Sequence, residues 1–144
     1  MAFEKRGQGE SQQGLKGQFM RKVVSTKRAP SAIGPYSQAV RTGQFIFVSG
    51  QIPLDPTTQQ IIAGDVGRQT ERVLKNIAGI LEAAGSSTDK IVRCGVFLKN
   101  MSDFEAMNDV YEKVFGPHPP ARTTVAVVGL PKDSLVEIDA IAVE

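Results

Sequence analysis

Residues 65–98 read DVGRQTERVLKNIAGILEAAGSSTDKIVRCGVFL, a helical pattern followed closely by an apolar strand pattern. Val73, Leu74, Ile77, Ile80, Leu81 and Ala84 recur at spacings of three and four, which gathers them into one stripe of a helix. Arg68, Arg72, Lys75 and Glu82 fall on the side facing water. Asp65 suits an N-cap, and Gly85 stops the helix, so the spacing predicts Val66 to Ala84 as the longest helix. Ile91 to Leu98 carries Arg93 as its one charge and is otherwise apolar at both strand parities. That pattern predicts a central strand covered on both sides.

Toward the C-terminus, Ser102 or Asp103 can cap a second helix that ends near Phe115-Gly116. Phe104, Met107, Tyr111, Val114 and Phe115 form its apolar stripe. Pro117, Pro119 and Pro120 cannot continue a helix. Thr123–Val128 and Leu135–Val143 read as the last two strands, joined by a turn over 129–134. Toward the N-terminus, Phe45–Ser49 is a β-branched and aromatic strand, preceded by the Thr42-Gly43 turn and an extended Tyr36–Arg41. Val23–Thr26 reads as a short edge strand, and Pro30 and Gly34-Pro35 mark a loop. Strands, helix, strand, helix and strands in that order predict an α+β sandwich, a mixed β-sheet with two helices packed on one face.

One such domain accounts for residues 20–144. The 144-residue chain is large enough for one core, and no apolar run approaches the length that crosses a membrane. Residues 1–19, MAFEKRGQGESQQGLKGQF, are rich in Gly and Gln without periodicity and read as a leader or extension outside the fold. Glu4 and Glu10 interrupt what would otherwise suit a mitochondrial targeting segment, so the cytoplasm is the expected location and the mitochondrial matrix the alternative. The net charge of +2 is unevenly spread. Residues 1–28 hold seven of the 17 Lys and Arg but only two of the 15 Asp and Glu, so the remainder is net −3. A body of that sign disfavours a phosphate-gripping nucleic-acid surface. With one Cys and one His, a Cys/His metal cage and an internal disulfide are excluded. No G-x-S-x-G, P-loop or G-x-G-x-x-G occurs, so hydrolase triads and nucleotide cradles lack support.

The informative polar residues stand where apolar ones are expected. Arg122 opens a strand after the proline-rich loop, sharing a face with Thr124, Ala126 and Val128. Its fork suits bidentate capture of a carboxylate, although a rim arginine reaching water fits the same pattern. Glu137 and Asp139 share a strand face that turns apolar at Ile141 and Val143. Glu137 there is either an acid/base beside a partly buried surface or a solvated charge. Asn108 falls on or beside the second helix's stripe, where it fixes a loop, touches a ligand or lies at the edge. Tyr36 places a phenol on a loop, and Gly50, after Ser49, allows another group close to the backbone. Cys94 reads as a small buried hydrophobe and His118 as a surface loop residue.

Four stretches together carry a resemblance: Ala32-Ile33-Gly34-Pro35-Tyr36-Ser37-Gln38-Ala39, Val48-Ser49-Gly50-Gln51-Ile52-Pro53, Asn108-Asp109-Val110-Tyr111 and Pro120-Ala121-Arg122-Thr123-Thr124. With the ending from Leu130 to Ala142, residues 21–144 resemble the Rid (YjgF) family in order and spacing. The resemblance implies a chorismate-mutase-like fold and a homotrimer with sites between adjacent subunits. It implies hydrolysis of reactive 2-imino or enamine acids, such as 2-aminoacrylate and 2-iminobutanoate, to 2-keto acids and ammonia, with no metal or organic cofactor. Arg122 would hold the substrate carboxylate and Glu137 would activate water. Tyr36, Ser49, Gly50, Asn108 and, more weakly, Thr124 would complete the substrate-binding pocket. Many relatives carry a cysteine where this chain has Thr124, so a thiol nucleophile at that position is excluded. The alternatives within the same resemblance are an endoribonuclease or translation inhibitor and a non-catalytic trimer that binds small carboxylates.

Overall fold

A computed structural model describes residues 20–144; the expectation for residues 1–19 lies outside the described residues. Six strands, β1 (Lys22–Val24), β2 (Ala39–Thr42), β3 (Phe45–Gln51), β4 (Ile91–Leu98), β5 (Ala121–Ala126) and β6 (Val136–Val143), form one sheet ordered β1-β2-β3-β6-β4-β5. All neighbours are antiparallel except β4 and β5. That parallel pair requires a crossover, and helix α2 (Phe104–Phe115) supplies it. Helix α1 (Val66–Ala83) lies over β3 and β6 and packs on α2, so both helices cover the same face of the sheet. The mixed α+β architecture agrees with the sequence.

Local chemistry explains the boundaries. Asp65 caps α1 by accepting the Arg68 N–H at 3.0 Å. Gly43 sits at φ 56° in the tight β2–β3 turn, a conformation that favours glycine. The predicted α1 stripe, Val73, Leu74, Ile77, Ile80 and Leu81, is buried against Ile46, Val48, Cys94, Val96, Ile138 and Ala140 of the sheet. Buried polar side chains tie loops to this core. Asn76 Nδ2 donates to the Leu54 carbonyl at 2.9 Å, and Gln69 Oε1 accepts from the Leu135 N–H at 2.8 Å.

The structure corrects several expectations. β4 lies between β6 and β5 but is covered on one side only in this chain, because both helices pack on that side. Its apolar residues at both parities leave Phe97 half-buried and Val92 exposed. Val114, assigned to the α2 stripe, is exposed; Met107 and Tyr111 are the buried residues of that helix. The edge strand is also shorter than expected, and the turn over 129–134 contains a 3-10 segment at Pro131–Asp133, with Lys132 and Asp133 both at φ 55°.

Candidate active site

The uncovered face of the sheet begins with β6, whose alternate residues Glu137, Asp139, Ile141 and Val143 are half-buried while Val136, Ile138, Ala140 and Ala142 are buried under the helices. Each of the first two carboxylates rests on a glycine of a neighbouring strand. A Cβ at Gly50 of β3 would lie 2.7 Å from Glu137 Oε2, and one at Gly95 of β4 would lie 2.6 Å from Asp139 Oδ1. The close approach expected at Gly50 is therefore made by Glu137. Asp139 is anchored, since its Oδ1 accepts the Gly95 N–H at 2.8 Å. No described hydrogen bond or ion pair occupies Glu137. Burial and the neighbouring Asp139 charge push its carboxyl above the usual glutamate value of 4.5, which suits a group that must take and return a proton.

Glu137 opens into a cleft of about 400 Å³ that Tyr36, Ser49 and Gly50 also line. Ile33, Ile52 and Leu54 give the cleft an apolar wall, and Lys132 stands at its edge. The segment over 26–30 that leads into the cleft loop is held by Gln38, a residue that strand patterning does not mark. Buried Gln38 accepts the Thr26 N–H at 2.7 Å and donates to the Pro30 carbonyl at 2.7 Å and the Ala29 carbonyl at 3.3 Å. Ser49 Oγ donates to the Ser37 carbonyl at 2.6 Å, and the Tyr36 hydroxyl accepts the Ile33 N–H at 3.3 Å. A polar residue one step before a strand, as Gln38 is before β2, was the available signal. Its role depends on a loop folding back onto it, which strand patterning does not describe.

Arg122 lies elsewhere. It is half-buried on β5, and its Nη1 donates to Asn108 Oδ1 of α2 at 2.8 Å. Its guanidinium carbon stands 4.7 Å from the Tyr111 ring centroid and 5.6 Å from that of Phe104. None of the ion pairs among the described residues involves Arg122. Proline-rich loop residues 117, 119 and 120 wall the same cleft. Thr124, on the same side, has a buried Oγ1 with no hydrogen-bond partner, and the Tyr111 hydroxyl is buried beside the Cys94 thiol. Burial, followed by the neighbouring Cys94 thiol, pushes the Tyr111 phenol well above its ordinary value. Cys94 is fully buried, as expected, and desolvation raises its thiol too, so it is not a ready nucleophile.

The candidate residues thus fall into two groups. Tyr36, Ser49, Gly50 and Glu137 share one cleft, while Asn108 and Arg122 share another with Thr124 nearby on β5. Register places the groups on opposite faces of the sheet. Arg122 is paired with Cys94 and Cys94 with Ala140, all on the helix-covered face, whereas Glu137 is paired with Phe97 on the open one. A single chain does not assemble both halves around one small molecule.

Comparison with known proteins supplies the context. The sequence pattern described as endoribonuclease L-PSP matches residues 26–144. A RutC family protein of Pyrococcus horikoshii is 53% identical over 85% of this chain and 98% of its own. The mouse 2-iminobutanoate/2-iminopropanoate deaminase is 46% identical over 88% of this chain and 93% of its own. Among solved structures, E. coli TdcF with bound serine superposes with a TM-score of 0.81 at 45% identity, covering 85% of this chain and 98% of that one.

Proposed function

We propose that this chain, which belongs to the endoribonuclease L-PSP (YjgF/Rid) family, hydrolyses small 2-imino acids to 2-keto acids and ammonia at sites shared between neighbouring subunits of a homotrimer. The observation that carries the reading is the division of labour across the sheet: an arginine that forms no ion pair among the described residues, and on the other face a cleft carboxylate with raised proton affinity. The open face that would receive a neighbour is apolar where it is most exposed. Phe45, Phe47 and Val125 are 41%, 44% and 39% exposed, a patch suited to burial against a second copy.

In this reading Arg122 of one subunit takes the substrate carboxylate through the donors that Asn108 leaves free. The imine carbon then faces Glu137 of the adjacent subunit. Glu137 accepts a proton from water as the water oxygen bonds to that carbon and the C=N π electrons move to nitrogen, and it then returns that proton to the nitrogen. In the resulting carbinolamine Glu137 takes the hydroxyl proton and passes it to the amine nitrogen as C=O forms and the C–N bond breaks, so that ammonia leaves and the 2-keto acid remains. An imine is already electrophilic, so positioning and one proton relay carry the reaction without a cofactor. The mouse relative's name and the serine in the TdcF structure favour a small carboxylate ligand.

The test is to generate 2-iminobutanoate in situ and follow its disappearance with the wild type, Arg122→Ala and Glu137→Ala. Acceleration by the wild type and its loss in both variants is the expected result. A wild-type rate equal to that of the buffer would overturn the proposal. RNA cleavage by the same wild-type preparation, in the absence of imine hydrolysis, would favour the endoribonuclease instead.

A further inference from the structure

Three residues of α2 meet Arg122: Phe104, Asn108 and Tyr111, spaced i, i+4 and i+7, which places them on one helical face. Asn108 supplies the one hydrogen bond. The two rings supply apolar surface and negative π faces. Tyr111 is the closer of the two, is only 4% exposed, and is itself held by Phe115 with ring centroids 4.5 Å apart. A free arginine side chain has many rotamers to lose on binding a ligand. One stacked on a fixed ring has lost them already.

The hydroxyl of Tyr111 does not account for the residue. It is buried beside the Cys94 thiol, a weak hydrogen-bonding group, and makes no bond to Arg122. The ring is the part in use. From this geometry we infer that Tyr111 is a positioning residue: its ring face holds the Arg122 guanidinium in the orientation that receives a carboxylate. The inference rests on the reading of Arg122 as the carboxylate anchor and gives that anchor a support no hydrogen bond provides. It also predicts an asymmetry between substituents, because ring and hydroxyl are separable.

Tyr111→Leu removes the ring, whereas Tyr111→Phe keeps it and removes only the hydroxyl. Tyr111→Met, unbranched and better able to fill an irregular gap, replaces Leu if that variant folds poorly. The first readout needs no ligand. In 15N NMR, the Arg122 Nε–H resonance should be displaced by the ring current and protected from exchange in the wild type and Tyr111→Phe. It should move toward the position of a free arginine in the Leu or Met variant, with Phe104 and Asn108 retaining part of the displacement. The second readout is calorimetric titration with 2-oxobutanoate and with its neutral amide. Loss of the ring should weaken 2-oxobutanoate binding by about tenfold, with the amide little affected. In turnover it should raise KM and leave kcat nearly unchanged, and Tyr111→Phe should match the wild type throughout. An unshifted Nε–H in the ring-less variant would overturn the inference. So would equal losses for acid and amide, or a Tyr111→Phe variant as impaired as Tyr111→Leu. Failure of the deaminase reading shows separately, as a wild type that displays the shifted Arg122 resonance but turns over no imine.

Discussion

Arg122 and Glu137 stand on opposite faces of the same sheet, separated by two strand positions and three residues of register. Strand spacing and rise place their Cα atoms about 14 Å apart before the opposed side-chain directions are added. No rotamer brings the two functional groups to one substrate of four carbons. Each side chain nevertheless lines a cleft of its own, and the proposed trimer would bring one cleft of each kind together at its interfaces.

Complementation tests this relationship directly. Arg122→Ala and Glu137→Ala should each be inactive as pure preparations. Unfolded together in equal amounts and refolded as mixed oligomers, they should recover about a quarter of wild-type activity, because a quarter of the inter-subunit sites then draw an intact Arg122 and an intact Glu137 from different chains. No recovery in mixtures shown by mass spectrometry to contain both chains would place the site within one subunit.

The open face offers a second route to the same point. Phe47→Glu sets a charge in the most exposed part of the apolar patch and should reduce the assembly to monomers in light scattering. The monomer should keep its secondary structure, since Phe47 takes no part in the helix-covered core, and lose imine hydrolysis. A fully active monomer would contradict the shared site.

Gly50→Ala reads the seat of Glu137. The added Cβ would lie 2.7 Å from Oε2, so the carboxylate must move. The expected outcome is a fall in kcat of roughly tenfold or more, from misplacement of a catalytic group by about 1 Å. KM should change less, because Arg122 lies on the other face. An equal effect on both constants would mean that the cleft itself, and not the carboxylate, was disturbed.

The raised proton affinity of Glu137 sets two pH dependences. As a base it works deprotonated, so kcat should fall on the acid side with an apparent pKa above the ordinary 4.5. Stability runs the other way. Between 4.5 and the higher folded value the native state binds more protons than the unfolded one, so this group's contribution to stability declines as pH rises through that window. Glu137→Gln should therefore melt above the wild type at pH 7, with the gap closing as pH drops below 4.5. A gap that is constant with pH would show that Glu137 titrates as an ordinary surface glutamate.

Gln38→Ala should be the costly substitution outside the chemistry. It removes a buried amide that joins Thr26, Ala29 and Pro30, leaving backbone groups unpaired for a loss of about 2–4 kcal/mol in denaturant unfolding. Because that amide also holds the segment leading into the loop of Tyr36, substrate binding should weaken in the folded fraction. Unfolding within a few tenths of a kcal/mol of the wild type would mean that water replaces the amide.

The sequence by itself determined the elements and the helix-covered face. The stripe from Val73 to Leu81, the Asp65 cap and the alternation from Val136 to Val143 are local patterns, and local patterns follow from helical and strand periods that each residue carries with it. It also marked Arg122, Glu137, Asn108, Tyr36, Ser49, Gly50 and Thr124 as candidates, with Arg122 favoured over a rim arginine only by the family pattern around it. Sorting them into two half-sites was decided only by the tertiary structure, because faces and neighbours depend on strand order. β6 inserts between β3 and β4, and that insertion is what lays Glu137 over Gly50 and turns it away from Arg122. The aromatic seat was hidden for the same reason. Phe104 and Tyr111 read as core residues on α2, and only the parallel pairing of β5 with β4 brings an arginine against them.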